Sequence, residues 1–226
     1  MRVAADTLAL FDLDHTLIPF DSGMAWTKFL VEAGALPPQA ELRYLDFCHE
    51  YLAGTLDIHA MHRASVAPLA AFSAAQLARW RDAFEREMWH RLPSEMQALV
   101  RRHREAGDLC AVVTATTRFV AEPFARGFGI ADLIATESVS ADGVPTGEID
   151  GLPCFREHKV TKVQAWLAAR AAPERDLAAF DASWFYSDSA SDLPLLAAVS
   201  HPVAVRPDVR LRAHAQAAGW PIVEAG

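Results

Sequence analysis

The amino-acid sequence predicts an α/β chain, a doubly wound parallel sheet with an α-helical insert near its start. Three observations carry that expectation. Residues 7–13, "TLALFDL", read as a short buried strand that runs into Asp12 and Asp14. From about residue 22 to 105, apolar residues recur at three- and four-residue spacing, the period of amphipathic helices. Beyond that, strand-like and helix-like segments alternate, as parallel strands joined by helical crossovers do.

The elements follow in order. Helices are predicted over 22–35, 39–55, 57–72 and 73–92, separated by the turn signals "GALPP" and "LAGTLD", with Ser73 as an N-cap. A further helix covers 93–108, with Pro93 at its start and Gly107 near its end. Then come a strand at 109–115, a helix at 118–129, a short strand or strand plus turn within 130–138, and a helix at 158–171. A strand at 182–189, a short helix at 191–199, a strand at 201–207 and a last helix at 208–219 complete the pattern. The helical stretch interrupts the alternation, so the expected organisation is a sheet core of residues 1–21 and 93–226 and an inserted cap of residues 22–92.

Bulk properties narrow the function. The chain has 226 residues, 52% of them apolar, enough for a sizeable core. A net charge of −8 and the lack of a basic run argue against nucleic acid or an anionic membrane as the main partner. Cys48, Cys110 and Cys154 are an odd number, far apart, with no CxxC, which suits free thiols in a cytoplasmic protein. The apolar stretch near the N-terminus is too short for a signal peptide, and no stretch reaches membrane-spanning length.

Polar residues recur where predicted strands end: Asp12 and Asp14; Thr114 and Thr116; Ser187, Asp188 and Asp192. Ligands of parallel α/β sheets bind at the carboxyl edge, so these groups are expected to converge. Asp12 and Asp14 share a strand face, and two like charges there repel. Several carboxylates at one point call for a cation; oxygen ligands favour Mg²⁺, and a lysine at a helix start would assist.

Four segments, "DLDHT" (12–16), "VVTATT" (112–117), "REHKVTK" (156–162) and "SDSASD" (187–192), resemble in order the four motifs of the haloacid dehalogenase-like phosphohydrolases. Placement of the insert between the first two is similar to the phosphoserine-phosphatase branch, and the C-terminal region to bacterial members described as histidinol-phosphatases. The resemblance implies a Rossmann-like core and a Mg²⁺-dependent phosphatase acting on a small phosphorylated metabolite. Asp12 would be the nucleophile that forms an aspartyl phosphate, and Asp14 the general acid and then base. Asp188 would ligate Mg²⁺ with Asp12 and the Asp14 main-chain carbonyl, and Asp192 would support the metal shell or Lys159. Thr114, Ala115 and Lys159 would hold the phosphate. Asp21 and, in the cap, Arg63 stand as substrate contacts.

Ala115 stands where the phosphoserine pattern has a glycine, and its Cβ narrows the backbone approach. That separates phosphatase chemistry from phosphoserine specificity; a bulkier alcohol such as histidinol phosphate suits the aromatic and histidine residues of the cap. Lys162 competes with Lys159, which is preferred because it opens its helix. Thr116 and Thr117 read as loop or helix-cap residues, and His59 and His62 as surface or substrate-facing. A phosphotransferase on the same scaffold, or a catalytically silent phosphate-binding protein, are the alternative functions.

Overall fold

Alternation in the first strand sets both faces of the sheet. In β1 (Thr7–Phe11), Leu8 and Leu10 enter one apolar cluster while Ala9 and Phe11 enter another on the opposite face. The structure, a computed structural model, describes residues 7–170 and 176–224. The outer ends of the expected core (1–6 and 225–226) and Ala171, the last residue of the helix expected at 158–171, lie outside them.

Six strands form a parallel sheet in the order β3-β2-β1-β6-β7-β8. These are β2 (Leu109–Thr117), β3 (Asp132–Thr136), β6 (Ala182–Ser187), β7 (His201–Val205) and the two-residue β8 (Ile222–Val223) around the central β1. The chain builds outward from β1 through β2 to β3, then crosses to β6 on the other side. That reversal makes the carboxyl ends of β1 and β6 a topological switch point, where parallel sheets open a crevice.

Helices α1 (Ser22–Glu32), α2 (Gln39–Ala53), α3 (Ile58–Val66) and α4 (Ala74–Trp89) occupy the predicted insert, with a 3₁₀ turn at Ala67–Ala71. Ser73 caps α4 as expected, accepting the Gln76 N–H. Helix α5 (Ser94–Ala106) follows Pro93 and ends at Gly107 with φ 87°, a left-handed stop that glycine adopts without strain. The crossovers are α6 (Arg118–Gly127), α7 (His158–Ala168), the short α8 (Leu193–Leu196) and α9 (Val209–Ala218).

Three local differences from the expectation have physical causes. Strand β1 stops at Phe11 rather than residue 13: after a last sheet bond from the Asp12 N–H to the Tyr186 carbonyl (2.9 Å), the chain turns back, the Thr16 and Ile18 N–H groups donating to the Leu13 carbonyl (3.3 and 3.1 Å). Strand β2 runs on to Thr117 through a register irregularity against β3. An antiparallel hairpin, β4 (Ser138–Ala141) and β5 (Val144–Ile149), follows β3 in a stretch for which no element is expected. Its two-residue turn is Asp142-Gly143, both at positive φ, the dipeptide signal that marks such hairpins in a sequence.

The insert shares its apolar core with the sheet. Trp26 and Leu30 of α1, Val66 of α3, and Phe84 and Met88 of α4 join the cluster that holds Ala9, Phe11 and Val112. Helix α2 stands apart: Phe47 packs with Leu56 and Phe155 in a small cluster over the carboxyl edge. The hairpin fastens to α3, where His62 Nε2 and Ser138 Oγ lie 3.1 Å apart. At Gly147 (φ 92°) an added Cβ would sit 2.7 Å from the Ala67 Cβ, so only glycine permits this approach.

Candidate active site

The chain beyond β1 turns sharply. His15 adopts φ 57°, a left-handed conformation uncommon outside glycine, and this brings Thr16 back beneath the strand end. Arg206 braces the turn from the far side, its guanidinium donating to the His15 carbonyl (3.0 Å) and the Thr16 carbonyl (2.6 Å). The Thr16 hydroxyl lies 3.3 Å from Asp12 Oδ2 and 3.1 Å from Asp188 Oδ1, and it accepts the Asp188 N–H at 3.0 Å. Two strand ends are thereby stitched together.

Lys159 lies in the first turn of α7, only 3% exposed, and extends to the edge of the sheet. Its ammonium donates to Asp12 Oδ1 at 2.8 Å and to Asp192 Oδ2 at 2.7 Å. Lys162 points elsewhere, bonding the Leu152 carbonyl at 3.2 Å in solvent. Asp192 also accepts the Ser187 hydroxyl at 2.8 Å through the same oxygen. Its other oxygen, Oδ1, is buried with no hydrogen-bond partner.

Asp14 is gripped at both oxygens. The Ser22 N–H donates to Oδ1 at 2.7 Å and the Thr116 hydroxyl to Oδ2 at 2.6 Å. Thr114 is buried beside it and accepts the Thr116 N–H at 3.1 Å, while the Ala115 carbonyl accepts the Thr136 hydroxyl at 2.7 Å. Thr116 is therefore more than the loop or cap residue its sequence context suggests. The signal was available: Thr114 and Thr116 are i and i+2 on one strand, the relation that singles out Asp12 and Asp14.

Asp21 caps α1, its Oδ1 accepting the Met24 N–H at 2.7 Å and the Tyr44 hydroxyl at 2.9 Å. Gly23 permits this: a Cβ there would lie 2.0 Å from the Tyr44 oxygen. Sequence reasoning missed Tyr44, since no local pattern ties α2 to residue 21. It also missed Tyr51, whose hydroxyl meets Ser189 at 2.7 Å and Ser191 at 2.8 Å in the "SDSASD" loop.

These residues line a cavity of about 510 Å³. Asp12, Asp14, Thr114, Lys159 and Asp188 border it together with walls that include Trp26, Tyr44, Phe47, Met61, Phe119 and Phe155. Asp21, Ala115 and His62 border it as well. His62 is buried, and burial lowers its pKa, whereas His59 is exposed. Arg63 is not brought to the cavity. It is exposed and pairs with Glu148 at 3.0 Å, a partner supplied by the hairpin the sequence reading did not foresee. Cys48 borders the cavity, with burial pushing its thiol up to about 12; all three cysteines are free.

Electrostatically the site carries surplus negative charge. Burial, only partly offset by Lys159, raises the Asp12 pKa to about 7, with Asp192 and Asp14 adding to the rise. Burial and then the charge of Asp21 raise Asp14 to about 6. Asp188 is raised well above the usual carboxylate range by burial and by Asp12 and Asp192. Burial alone would lower Lys159, but the two carboxylates it touches outweigh that and hold it charged.

The carboxylates do not surround one point as four equals. Asp192 is held through Lys159, and Asp14 is turned to Ser22 and Thr116. Among the described residues no three His, Cys, Asp or Glu side chains form a ready-made metal cluster. Asp12, Asp188 and Asp192 set three carboxylates against the one ammonium of Lys159, and Asp12 and Asp188, joined through Thr16, are the oxygen donors that fit a small divalent cation.

A parallel sheet that gathers aspartates and a lysine at its switch point, beneath helices inserted after the first strand, defines a class of α/β enzymes. Residues 9–197 match the family described as haloacid dehalogenase-like hydrolase. The chain is 40% identical over 219 residues to a histidinol-phosphatase of Neisseria meningitidis serogroup C (strain 8013), covering 96% of this chain and 97% of that one. It also resembles a crystal structure of a protein with unknown function from Bordetella pertussis Tohama I. That match has TM-score 0.89 and 44% identity over 98% of this chain and 99% of the other. A phosphoserine phosphatase with a phospho-aspartyl intermediate analogue shares the fold at TM-score 0.67 and 17% identity, over 96% and 93% of the two chains. The chain belongs to the haloacid dehalogenase-like hydrolases. Among the described residues no helix is long and apolar enough to cross a membrane.

Proposed function

We propose that the protein is a Mg²⁺-dependent phosphatase that hydrolyses a small phosphorylated metabolite through an aspartyl phosphate on Asp12. The observation that carries this reading is the convergence of Asp12, Asp14, Thr114, Lys159 and Asp188 on one cavity. An Asp12 oxygen attacks phosphorus, the phosphorus–oxygen bond to the alcohol breaks, and Asp14 gives its proton to the departing oxygen. Asp14 then takes a proton from the water that cleaves the aspartyl phosphate, releasing inorganic phosphate and restoring both carboxyl groups. Lys159 and Thr114 hold the phosphoryl oxygens. Asp12, Asp188 and the Asp14 carbonyl would bind Mg²⁺, which supplies charge neutralisation for the phosphoryl group.

On this reading residues 22–92 act as a cap that sets substrate reach. The cavity volume and its aromatic walls support an alcohol larger than serine, of the histidinol-phosphate kind that the Neisseria relative is named for. Asp21, which borders the cavity, would meet a positive charge or hydroxyl on it. The test is phosphate release from a panel holding histidinol phosphate, phosphoserine, sugar phosphates and p-nitrophenyl phosphate, with Mg²⁺ or EDTA. Turnover of histidinol phosphate well above phosphoserine, lost in EDTA, is expected. Equal or better turnover of phosphoserine would overturn the substrate assignment, and turnover unaffected by EDTA the metal assignment.

Metal binding has a second readout in stability. Asp12 and Asp14 shift from 3.8 to about 7 and about 6, so the folded apo protein holds more protons than the unfolded chain between about pH 4 and 7. Stability in EDTA therefore falls as pH rises through that window. Mg²⁺ takes the place of protons on its two side-chain ligands, Asp12 and Asp188, both raised by burial, so the rise in Tm on adding it is expected to be larger at pH 8 than at pH 5. A metal-induced shift that is absent, or largest at pH 5, would contradict this donor set.

A further inference from the structure

We infer that Thr116, backed by Ser22, is a positioning residue for Asp14. This rests on the reading of Asp14 as the acid that protonates the leaving oxygen. The two residues form a chain of donors: the Ser22 hydroxyl donates to Thr116 Oγ1 at 3.2 Å, and the Thr116 hydroxyl donates to Asp14 Oδ2 at 2.6 Å. The Ser22 main-chain N–H closes the grip on Asp14 Oδ1 at 2.7 Å. Thr116 is itself fixed, its N–H bonded to Thr114 Oγ1 at 3.1 Å.

The chemistry of the two partners differs in a useful way. A main-chain N–H only donates, so Oδ1 stays an acceptor throughout. A threonine hydroxyl donates or accepts, so Oδ2 can hold or release a proton without losing its neighbour. The orientation of the carboxyl plane is thus kept through both halves of the reaction. The grip is also shared between layers: Ser22 begins α1 of the insert, and Thr116 lies near the end of β2 in the sheet. Asp14 is aimed only when the insert is seated on the core. A misplaced acid costs rate without costing ground-state binding.

The test uses leaving groups that differ in their need for a proton. p-Nitrophenolate leaves without one, whereas an alkoxide depends on the acid. Wild type, Thr116→Val, Thr116→Ser and Asp14→Asn are compared on p-nitrophenyl phosphate and on the best alkyl ester of the panel. General acids contribute about 10²–10⁴-fold, so Thr116→Val, which misplaces the acid without removing it, should lose roughly ten- to a hundredfold in kcat on the alkyl ester. Its loss on the aryl ester should stay below about threefold, with KM little changed on either and Thr116→Ser near wild type. Equal losses on both esters, a change in KM alone, or no rescue by serine would overturn the inference. Asp14→Asn separates the two levels. If it too loses equally on both esters, the acid assignment fails; if it splits them and Thr116→Val does not, only the role of Thr116 fails. Should Thr116→Val melt below the assay temperature, Ser22→Ala gives the same split in smaller measure, and its absence counts against the inference.

Discussion

If Asp12 is the nucleophile proposed above, Asp12→Asn is expected to abolish phosphate release, lowering kcat by about 10⁴-fold or more on every substrate, because the amide cannot form the covalent intermediate. The substitution keeps the shape of the side chain and removes its charge. In EDTA its melting temperature should be no lower than that of the wild type. Burial already works against the Asp12 charge, and Lys159 keeps Asp192 as a partner. The rise in Tm on adding Mg²⁺ should shrink with the loss of that carboxylate. Activity and stability therefore move independently, which differential scanning calorimetry and a phosphate assay on the same preparations would show. Retained turnover in Asp12→Asn would remove the nucleophile assignment; a large drop in its apo Tm would mean that the Asp12–Lys159 pair stabilises the fold.

Lys159→Met should have the largest effect on the fold itself. Two carboxylates, Asp12 and Asp192, lose the ammonium that lies within 2.8 Å and 2.7 Å of them, and Asp192 is only 2% exposed. Removing one partner from a buried ion pair typically costs about 3–5 kcal/mol. Urea unfolding should register a loss of that order at pH 7.5, together with loss of phosphatase activity. The stability deficit should narrow at pH 5, where Asp12, raised to about 7 by burial, takes up a proton in the folded state. Combining Lys159→Met with Asp12→Asn should recover part of it. Lys162→Met, at a half-buried residue three positions on whose ammonium bonds only the Leu152 carbonyl, serves as the comparison and should change neither stability nor turnover much. Equal effects at the two lysines would contradict the geometry of α7.

The central part of this site was legible in the sequence because it obeys a local rule. Strand periodicity locates the carboxyl ends of β1 and β6, just beyond which Asp12, Asp14 and Asp188 lie, and the second half of β2, which carries Thr114. The position of Lys159 at a helix start separated it from Lys162 on reach alone. What escaped depended on longer-range packing. Thr116 reads in the sequence as a loop or helix-cap residue after a strand at 109–115; the structure carries that strand to Thr117 and turns the Thr116 hydroxyl to Asp14. Arg63 is drawn away by Glu148, on a hairpin whose Asp-Gly turn was in the sequence but went unused.

The sequence by itself determined the succession of strands and helices, except for the β4–β5 hairpin and the two-residue β8, and which acids stand at strand ends, since hydrophobic period and side-chain alternation are properties of adjacent residues. Only the tertiary structure decided how those acids divide their partners: Lys159 to Asp12 and Asp192, Ser22 and Thr116 to Asp14, Tyr44 to Asp21. Apart from Ser22, eight residues from Asp14, each of those partners comes from an element more than twenty residues away. A hydrogen bond requires its atoms within about 3 Å, a condition that local pattern cannot impose across tens of residues of chain.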